Sequence, residues 1–538
     1  GPWDTGTPGE GGGMPKHGVC RALLLLTAVV LTLAFAGAAS AGTYVVLYKA
    51  NGVPANAGEA VRTAGGTVVA SYPQIGVVIA ESSQASFRAT LMKDSAVDGV
   101  SATAGFATRL NDGGTDSADA EGPPLGDLPN TPASDADSLS ALQWDMRQIH
   151  TPQAHAITGG SPSVLVGDID TGIDFDHPDL QANIDVANSV NCVTGAPDPG
   201  LAAQDDNGHG THTAGTIAAA ANGLGIVGVA PNVKVAGIKS GNADGFFFPE
   251  AVICGFMWAA THHMDVTNNS YFADPWEYNC RNDSVQRAIW KAEQRAILYA
   301  EQQGVTVVAA EGNDSDDTAH PTQDQTSPDD TTPVTRDITN ACVIIPVEVP
   351  GVIGVSATGS AAQGTSAGQY ADHRKSFYSS FGVGVTQLAA PGGDSLFGTP
   401  PFTGTAGRVL STWPTEVTAN CLVSRRVFDA GAPGALWCYQ QGTSMASPHV
   451  AGVAALIISR FGDSTSPNGK MRPNQVKALL GQTADPQACP TELPAAYVAI
   501  VGVNSELPQE CQGGPGYNSW YGNGEVDAFN AVTHTAGN

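Results

Sequence analysis

A carboxylate, an imidazole and a hydroxyl stand in three short blocks of this chain: Asp170-Thr171-Gly172, His209-Gly210-Thr211-His212 and Gly442-Thr443-Ser444-Met445-Ala446. A serine hydroxyl is a weak nucleophile at neutral pH. It needs a base to take its proton and a buried acid to orient that base. Each block alone has a plain structural reading. Asp-Thr-Gly is a turn signal. It is also half of an aspartic-protease site, but the chain has no second Asp-Thr-Gly or Asp-Ser-Gly to share the proton. Two histidines three residues apart suit a metal, yet the His-Glu-x-x-His pattern is absent. Ser444 before an apolar helix is a natural N-cap.

The elements that must position these groups alternate. Strands are expected at 164–169, 233–238, 265–270 and 305–310, and helices at 209–221, 249–261, 284–303, 444–459 and 474–480. Strand–helix alternation predicts an α/β fold with a mostly parallel sheet covered by helices on both faces. A smaller α+β module is expected over 43–109, with strands at 43–48 and 77–80 and helices at 57–64 and 84–92. Residues 110–139 are rich in Asp, Gly, Pro and Ser, which reads as an acidic disordered linker to a large domain at 140–538.

Taken in order, the segments VGDIDTGIDFDHPDL, NGHGTHTAGTIAA and GTSMASPHVAGVAAL resemble the subtilisin-like serine proteases, the subtilase family. The resemblance implies a three-layer subtilisin-like fold and an inhibitory prodomain at 43–109. It implies Asp170, His209 and Ser444 as the triad, with His212 structural. The run Val307–Asn313 resembles the family's oxyanion segment, making Asn313 a side-chain donor beside the Ser444 backbone N–H. Ser270, Tyr271 and Phe272 sit where the family binds an extended peptide. Tyr and Phe replace the usual Leu-Gly there. Together with Phe246–Phe248 they suggest apolar side chains in the substrate. No cofactor is required for the chemistry. A structural calcium is implied at Asp179 and Asn222, although the family's glutamine ligand has no clear counterpart: Ser140 falls near its place and Gln143 three residues away.

The start of the chain reads as export machinery. Residues 1–13 are an upstream extension. Residues 14–41 carry a basic start, an apolar run over 22–39 and a small-x-small end at Ala39-Ser40-Ala41. Secretion makes the eight cysteines beyond Cys20 disulfide candidates, and the local pairs Cys421–Cys438 and Cys489–Cys511 are expected first. The net charge of −27, from 24 Lys+Arg against 51 Asp+Glu, argues against nucleic acid and anionic membranes as partners. The expected partners are protein substrates and the chain's own prodomain. A secreted endopeptidase made as a self-inhibited zymogen is the leading reading. A non-catalytic binding protein on the same scaffold, and an ester hydrolase or acyl transferase using the same triad, are the alternatives.

Overall fold

The computed structural model describes residues 41–103, 123–273, 276–361, 374–466 and 469–537. The expected upstream extension and the export signal, except its last residue, lie outside the described residues.

The large domain is built on an eight-stranded sheet. Its principal strands are β5 (Leu165–Asp170), β6 (Lys234–Lys239), β7 (Val266–Asn269), β8 (Thr306–Ala310), β9 (Ile353–Thr358) and β10 (Leu388–Pro391). They run in the order β10-β9-β8-β7-β5-β6, all parallel. Two two-residue strands, Val190–Asn191 and Asp198–Pro199, extend the β6 edge. All five residues of β8 and all six of β9 are buried. That is why these strands read as continuous apolar runs rather than alternating ones.

Helices α3 (His209–Ala218), α4 (Pro249–Thr261), α5 (Gln286–Gln302) and α6 (Thr443–Phe461) cover the sheet. Helix α4 starts on Pro249, where a missing N–H costs nothing. Helix α3 stops at Ala218, three residues before the expected end, because Ala219 turns extended. Helix α6 is buried from Thr443 to Ser459. Its Val450, Val453, Leu456 and Ile457 belong to the largest apolar cluster. Each such side chain contributes about 1.5–3 kcal/mol by leaving water, so Leu456→Ala would cost about 2–5 kcal/mol.

The N-terminal module is an antiparallel sheet in the order β2-β3-β1-β4, from β1 (Gly42–Tyr48), β2 (Gly66–Tyr72), β3 (Val77–Ser82) and β4 (Val97–Ala102). It has twice the expected strands. β2 and β4 carry Gly, Ser, Thr and Asp, which hid them. Period-two alternation divides β1 cleanly. Val46 and Tyr48 pack on the module's own helices, Ala57–Thr63 and Phe87–Leu91. Val45 and Leu47, with Val77 and Ile79 of β3, join a cluster that includes Val252, Phe256, Ala292 and Ala296 of α4 and α5. Polar contacts rim this seam. Lys291 pairs with Asp98 at 2.8 Å, Ser101 Oγ donates to the Val285 carbonyl at 2.7 Å, and Arg295 donates to the Tyr48 carbonyl at 2.9 Å.

The linker expectation is corrected over its described part. Residues 123–139 lie along the large domain: Gly126 N–H donates to the Arg460 carbonyl at 3.0 Å, Leu128 is buried, and Asn130 reaches the Ser459 carbonyl. Backbone pairing holds a stretch whose composition alone argues for disorder. Four disulfides close the structure, Cys192–Cys254, Cys280–Cys342, Cys421–Cys438 and Cys489–Cys511. The last two are the expected local pairs.

Candidate active site

Asp170 ends β5 at the carboxyl edge of the sheet, where parallel α/β sheets place their ligands. Its carboxyl is fully buried. Oδ1 accepts the Thr171 N–H at 2.7 Å and lies 2.8 Å from His209 Nδ1. A carboxylate partner fixes the imidazole proton on Nδ1 and makes Nε2 the basic nitrogen. His209 is the first residue of α3, with 28% of its side chain exposed. Asp205 ties the two elements together. It accepts the Thr171 hydroxyl at 2.9 Å, and at the start of the helix the Gly208 and Thr211 N–H groups at 2.9 Å each. That placement also sets a negative charge at a helix N-terminus. A side chain at position 210 is excluded, since its Cβ would lie 2.2 Å from the Gly172 carbonyl oxygen.

Ser444 lies in the first turn of α6. Its Oγ donates to the Ser270 carbonyl at 3.0 Å, and Ser270 Oγ donates back to the Ser444 carbonyl at 2.9 Å. Asn313 follows β8 by three residues. Its Oδ1 accepts the Thr443 N–H at 2.9 Å and the Thr443 hydroxyl at 3.1 Å. That same hydroxyl accepts the Gly312 N–H at 2.9 Å. A backbone N–H can only donate, so Asn313 must present its oxygen to Thr443 and its NH2 elsewhere. A Cβ built on Gly442 would sit 3.6 Å from Ser444 N and 3.7 Å from Asn313 Nδ2. The Asn313 amide, its Oδ1 at 3.5 Å included, and the Ser444 N–H thus border the space beside Gly442, at the N-terminus of a 19-residue helix.

The other two histidines of the motifs are held in packing roles. His212 is fully buried, with Nε2 on the Cys438 carbonyl at 3.0 Å. Burial, reinforced by the nearby His209, pushes its pKa down to about 3, so it stays neutral. His449 places Nδ1 on the Met445 carbonyl at 2.8 Å and Nε2 on Asp145 at 3.1 Å.

Two clefts meet at His209. One of about 330 Å³ is lined by Asn313, Trp413, Gln440 and Ser444. The other, of about 270 Å³, is lined by Phe246, Phe247, Ser270, Tyr271 and Phe272. Tyr271 and Phe247 stack at 4.2 Å with ring planes 7° apart. The Tyr271 hydroxyl donates to Asn269 Oδ1 at 3.0 Å. The aromatic residues at 271 and 272 thus form one wall of a groove rather than interior packing alone.

Asp179 is also fully buried. Its Oδ2 accepts from Ile226 N–H and Trp437 Nε1–H, each at 2.9 Å, while Oδ1 has no partner. Burial first, then the like charges of Asp137 and Asp429, push its carboxyl up to about 8. An orphaned carboxylate oxygen facing other acids fits a cation. Asp137, which sequence reasoning missed, accepts the Asn222 N–H at 2.9 Å. Asn222 folds its side chain back: Oδ1 accepts the Leu224 N–H and Nδ2 donates to the Pro178 carbonyl. Gln143 is bonded at both ends to the Val227 backbone.

The geometry is matched by descent. The family model described as "Subtilase family" fits residues 161–524. This chain belongs to the subtilase family. Fervidolysin of Fervidobacterium pennivorans is 29% identical over 362 residues, 66% of this subtilase and 42% of fervidolysin. Subtilisin BL of Lederbergia lenta is 28% identical over 319 residues, 59% of this subtilase and 84% of that protein. The subtilase thus spans less than half of fervidolysin. Among solved structures, the epidermin leader peptide processing serine protease of Staphylococcus aureus superposes with a TM-score of 0.61. It is 22% identical, covering 92% of this subtilase and 98% of that chain. At that identity the likeness is one of fold. Subtilases are serine endopeptidases whose chemistry needs no cofactor.

Sequence reasoning missed several residues of this subtilase that the site depends on. Thr443, which orients Asn313, lies inside the serine block but was given no role there, and Asp205, which joins β5 to α3, belongs to no motif. Asp168 had a signal. It precedes Asp170 by two on the same strand, and residues i and i+2 face the same side.

Proposed function

We propose that this subtilase is a secreted serine endopeptidase that hydrolyses peptide bonds through Asp170, His209 and Ser444 and is made as a self-inhibited zymogen. The observation that carries the reading is the 2.8 Å pairing of Asp170 with His209 Nδ1 in a cleft that also exposes Ser444 and Asn313.

To attack, Ser444 turns its one proton from the Ser270 carbonyl to His209 Nε2. Asp170 holds the imidazole tautomer and stabilises the imidazolium that forms. His209 then returns the proton to the leaving amine. The oxyanion is met by Asn313 Nδ2 and the Ser444 N–H. The substrate backbone lies along Ser270–Phe272, with apolar side chains against Phe247 and Tyr271.

The zymogen reading rests on the module of β1–β4. Its apolar face covers α4 and α5, and it is joined to the large domain through residues 104–139, where cutting would release it. The assignment divides the chain into a signal at 14–41, a prodomain at 43–109, a connecting segment at 110–139 whose part from 123 on packs along the peptidase domain, and that domain at 140–538. Export is supported by the leader pattern and four disulfides. Among the described residues no helix is long and apolar enough to cross a membrane. A structural calcium would be held by Asp179 and Asp137, with Asn222 shaping the loop around it.

Incubation of the wild-type and Ser444→Ala chains with a peptide library, read by mass spectrometry of products and of the protein's own N-terminus, tests the reading. Cleavage and loss of the N-terminal module should require Ser444. Equal cleavage by Ser444→Ala would overturn it.

A further inference from the structure

A second carboxyl group stands behind the first. Asp168, fully buried, is two residues before Asp170 on β5. Its Oδ2 lies 2.7 Å from Thr213 Oγ1 on α3, and its Oδ1 accepts Asn268 Nδ2–H at 2.8 Å. The second Asn268 amide proton is directed at Ser270 Oγ, 3.0 Å away. Ser270 in turn donates to the Ser444 carbonyl at 2.9 Å. Asn268 Oδ1 accepts the Ser447 hydroxyl of α6 at 2.7 Å. Thr213 Oγ1 also lies 3.0 Å from the Gly210 carbonyl of the His209 helix.

We propose that Asp168 is a positioning residue held as the neutral acid, whose proton completes a hydrogen-bond chain joining the helix of His209 to the carbonyl of Ser444. The 2.7 Å Thr213–Asp168 contact accommodates a proton from either side, and with Asp168 neutral the directions run one way. Asp168 O–H donates to Thr213, and Thr213 donates to the Gly210 carbonyl. Asn268 donates to Asp168 and to Ser270, and Ser270 donates to Ser444. The Ser447 hydroxyl satisfies the Asn268 oxygen. No donor or acceptor of the chain is used twice for one proton.

The charge distribution asks for the same state. The charged groups that act on Asp168 are Asp170, its neighbour on the strand face, and Asp205 below α3, both like-signed; Thr213, Asn268 and Ser447 are neutral. Burial first, and then Asp170, hold the Asp168 carboxyl well above the usual carboxylate range. Two acids on one side of a buried strand favour a proton on one of them, and the geometry assigns it to Asp168, because Asp170 Oδ1 is taken up by His209 Nδ1. The assignment rests on reading Asp170, His209 and Ser444 as the catalytic groups.

Asp168→Asn tests the charge state because the amide copies the protonated acid: its NH2 replaces the O–H to Thr213 and its oxygen still accepts from Asn268. For the full chain, kcat of Asp168→Asn should stay within about threefold of wild type. The acid limb of its kcat/KM profile should not move. Asp168→Leu, which breaks the chain on both sides, should lower kcat about tenfold or more with a smaller change in KM. Other buried carboxyls, Glu293 and Asp179 among them, are also held high by burial, so the readout is a difference: the infrared spectrum of wild type minus Asp168→Asn should show the loss of one protonated-carboxyl band. A shift of the acid limb by about one pH unit in Asp168→Asn would mean that a charge had been removed beside His209, and would overturn the proposal. So would full kcat in Asp168→Leu. Ser444→Ala is run alongside: if it is active, the reading of the catalytic groups fails. If it is inactive while the Asp168→Asn profile shifts, only the neutral positioning role of Asp168 fails.

Discussion

Pro448 stands four residues after Ser444 in helix α6 and so leaves the Ser444 carbonyl without its helical N–H partner. Ser270 supplies the missing donor at 2.9 Å. Ser444 is therefore anchored to the Ser270 segment by the bond that the proline removes from its own helix. Ser270→Ala should orphan a buried carbonyl, at a cost of about 1–3 kcal/mol. The expected result is a lower denaturation midpoint together with a lower kcat, measured on the same preparation. A variant as stable and as fast as wild type would contradict the coupling.

Asn313→Ala removes the side-chain donor in front of Gly442. Turnover should fall about 100- to 1,000-fold, with KM little changed, because the donor acts where charge develops. Thr443→Val is a milder probe. It keeps the backbone N–H on Asn313 but deletes the hydroxyl that orients both Asn313 and Gly312. Its kcat should drop about three- to tenfold. Steady-state kinetics on one peptide substrate separates the two.

His212 makes acid stability measurable. Its pKa is about 3 in the fold against 6.5 in an unstructured chain. Below pH 6.5 the unfolded chain therefore takes up a proton that the fold refuses. Stability should fall as the pH drops from 6.5 towards 3, with this one group contributing about 1.4 kcal/mol per pH unit, and should be unaffected by it above 6.5. His212→Gln should flatten that slope in denaturant titrations run across the range, whatever its effect on stability at neutral pH.

Calcium at Asp179 has its own signature. Chelation with EDTA should lower the thermal midpoint of wild type, and added calcium should restore it. Asp179→Asn, which can no longer ionise to hold a cation, should be insensitive to both. Identical melting curves for wild type with EDTA and with calcium would remove the ion from this subtilase.

The sequence was most legible where chemistry and local geometry coincide. The Asp170, His209 and Ser444 blocks each sit at the end of an element, and the Asn313 turn follows a buried strand, so motif and structure point the same way. Legibility failed where the interaction is long-range. Strands β2 and β4 are too polar to announce themselves and exist because β3 and β1 offer them edges. Residues 123–139 look like a tether by composition, yet the Gly126 backbone and the Asn130 side chain find partners in the Arg460 and Ser459 carbonyls, more than 300 positions away in the chain. Asn222 matched a calcium loop by position, but its side chain is consumed by the turn it builds. Asp137 reached the same place without any motif.

Helix α6 runs through the middle of the molecule yet is encoded near its end. The sheet it must pack against is parallel, so few of its pairings are local, and chains of that kind collect their contacts slowly. Until residues 443–461 are in place, the proposed triad has its carboxylate and its imidazole but no serine beside them. The N-terminal sheet closes through near neighbours and has no such wait. In order of synthesis, the strands that cover α4 and α5 are complete long before Ser444, the last member of the proposed triad, is added.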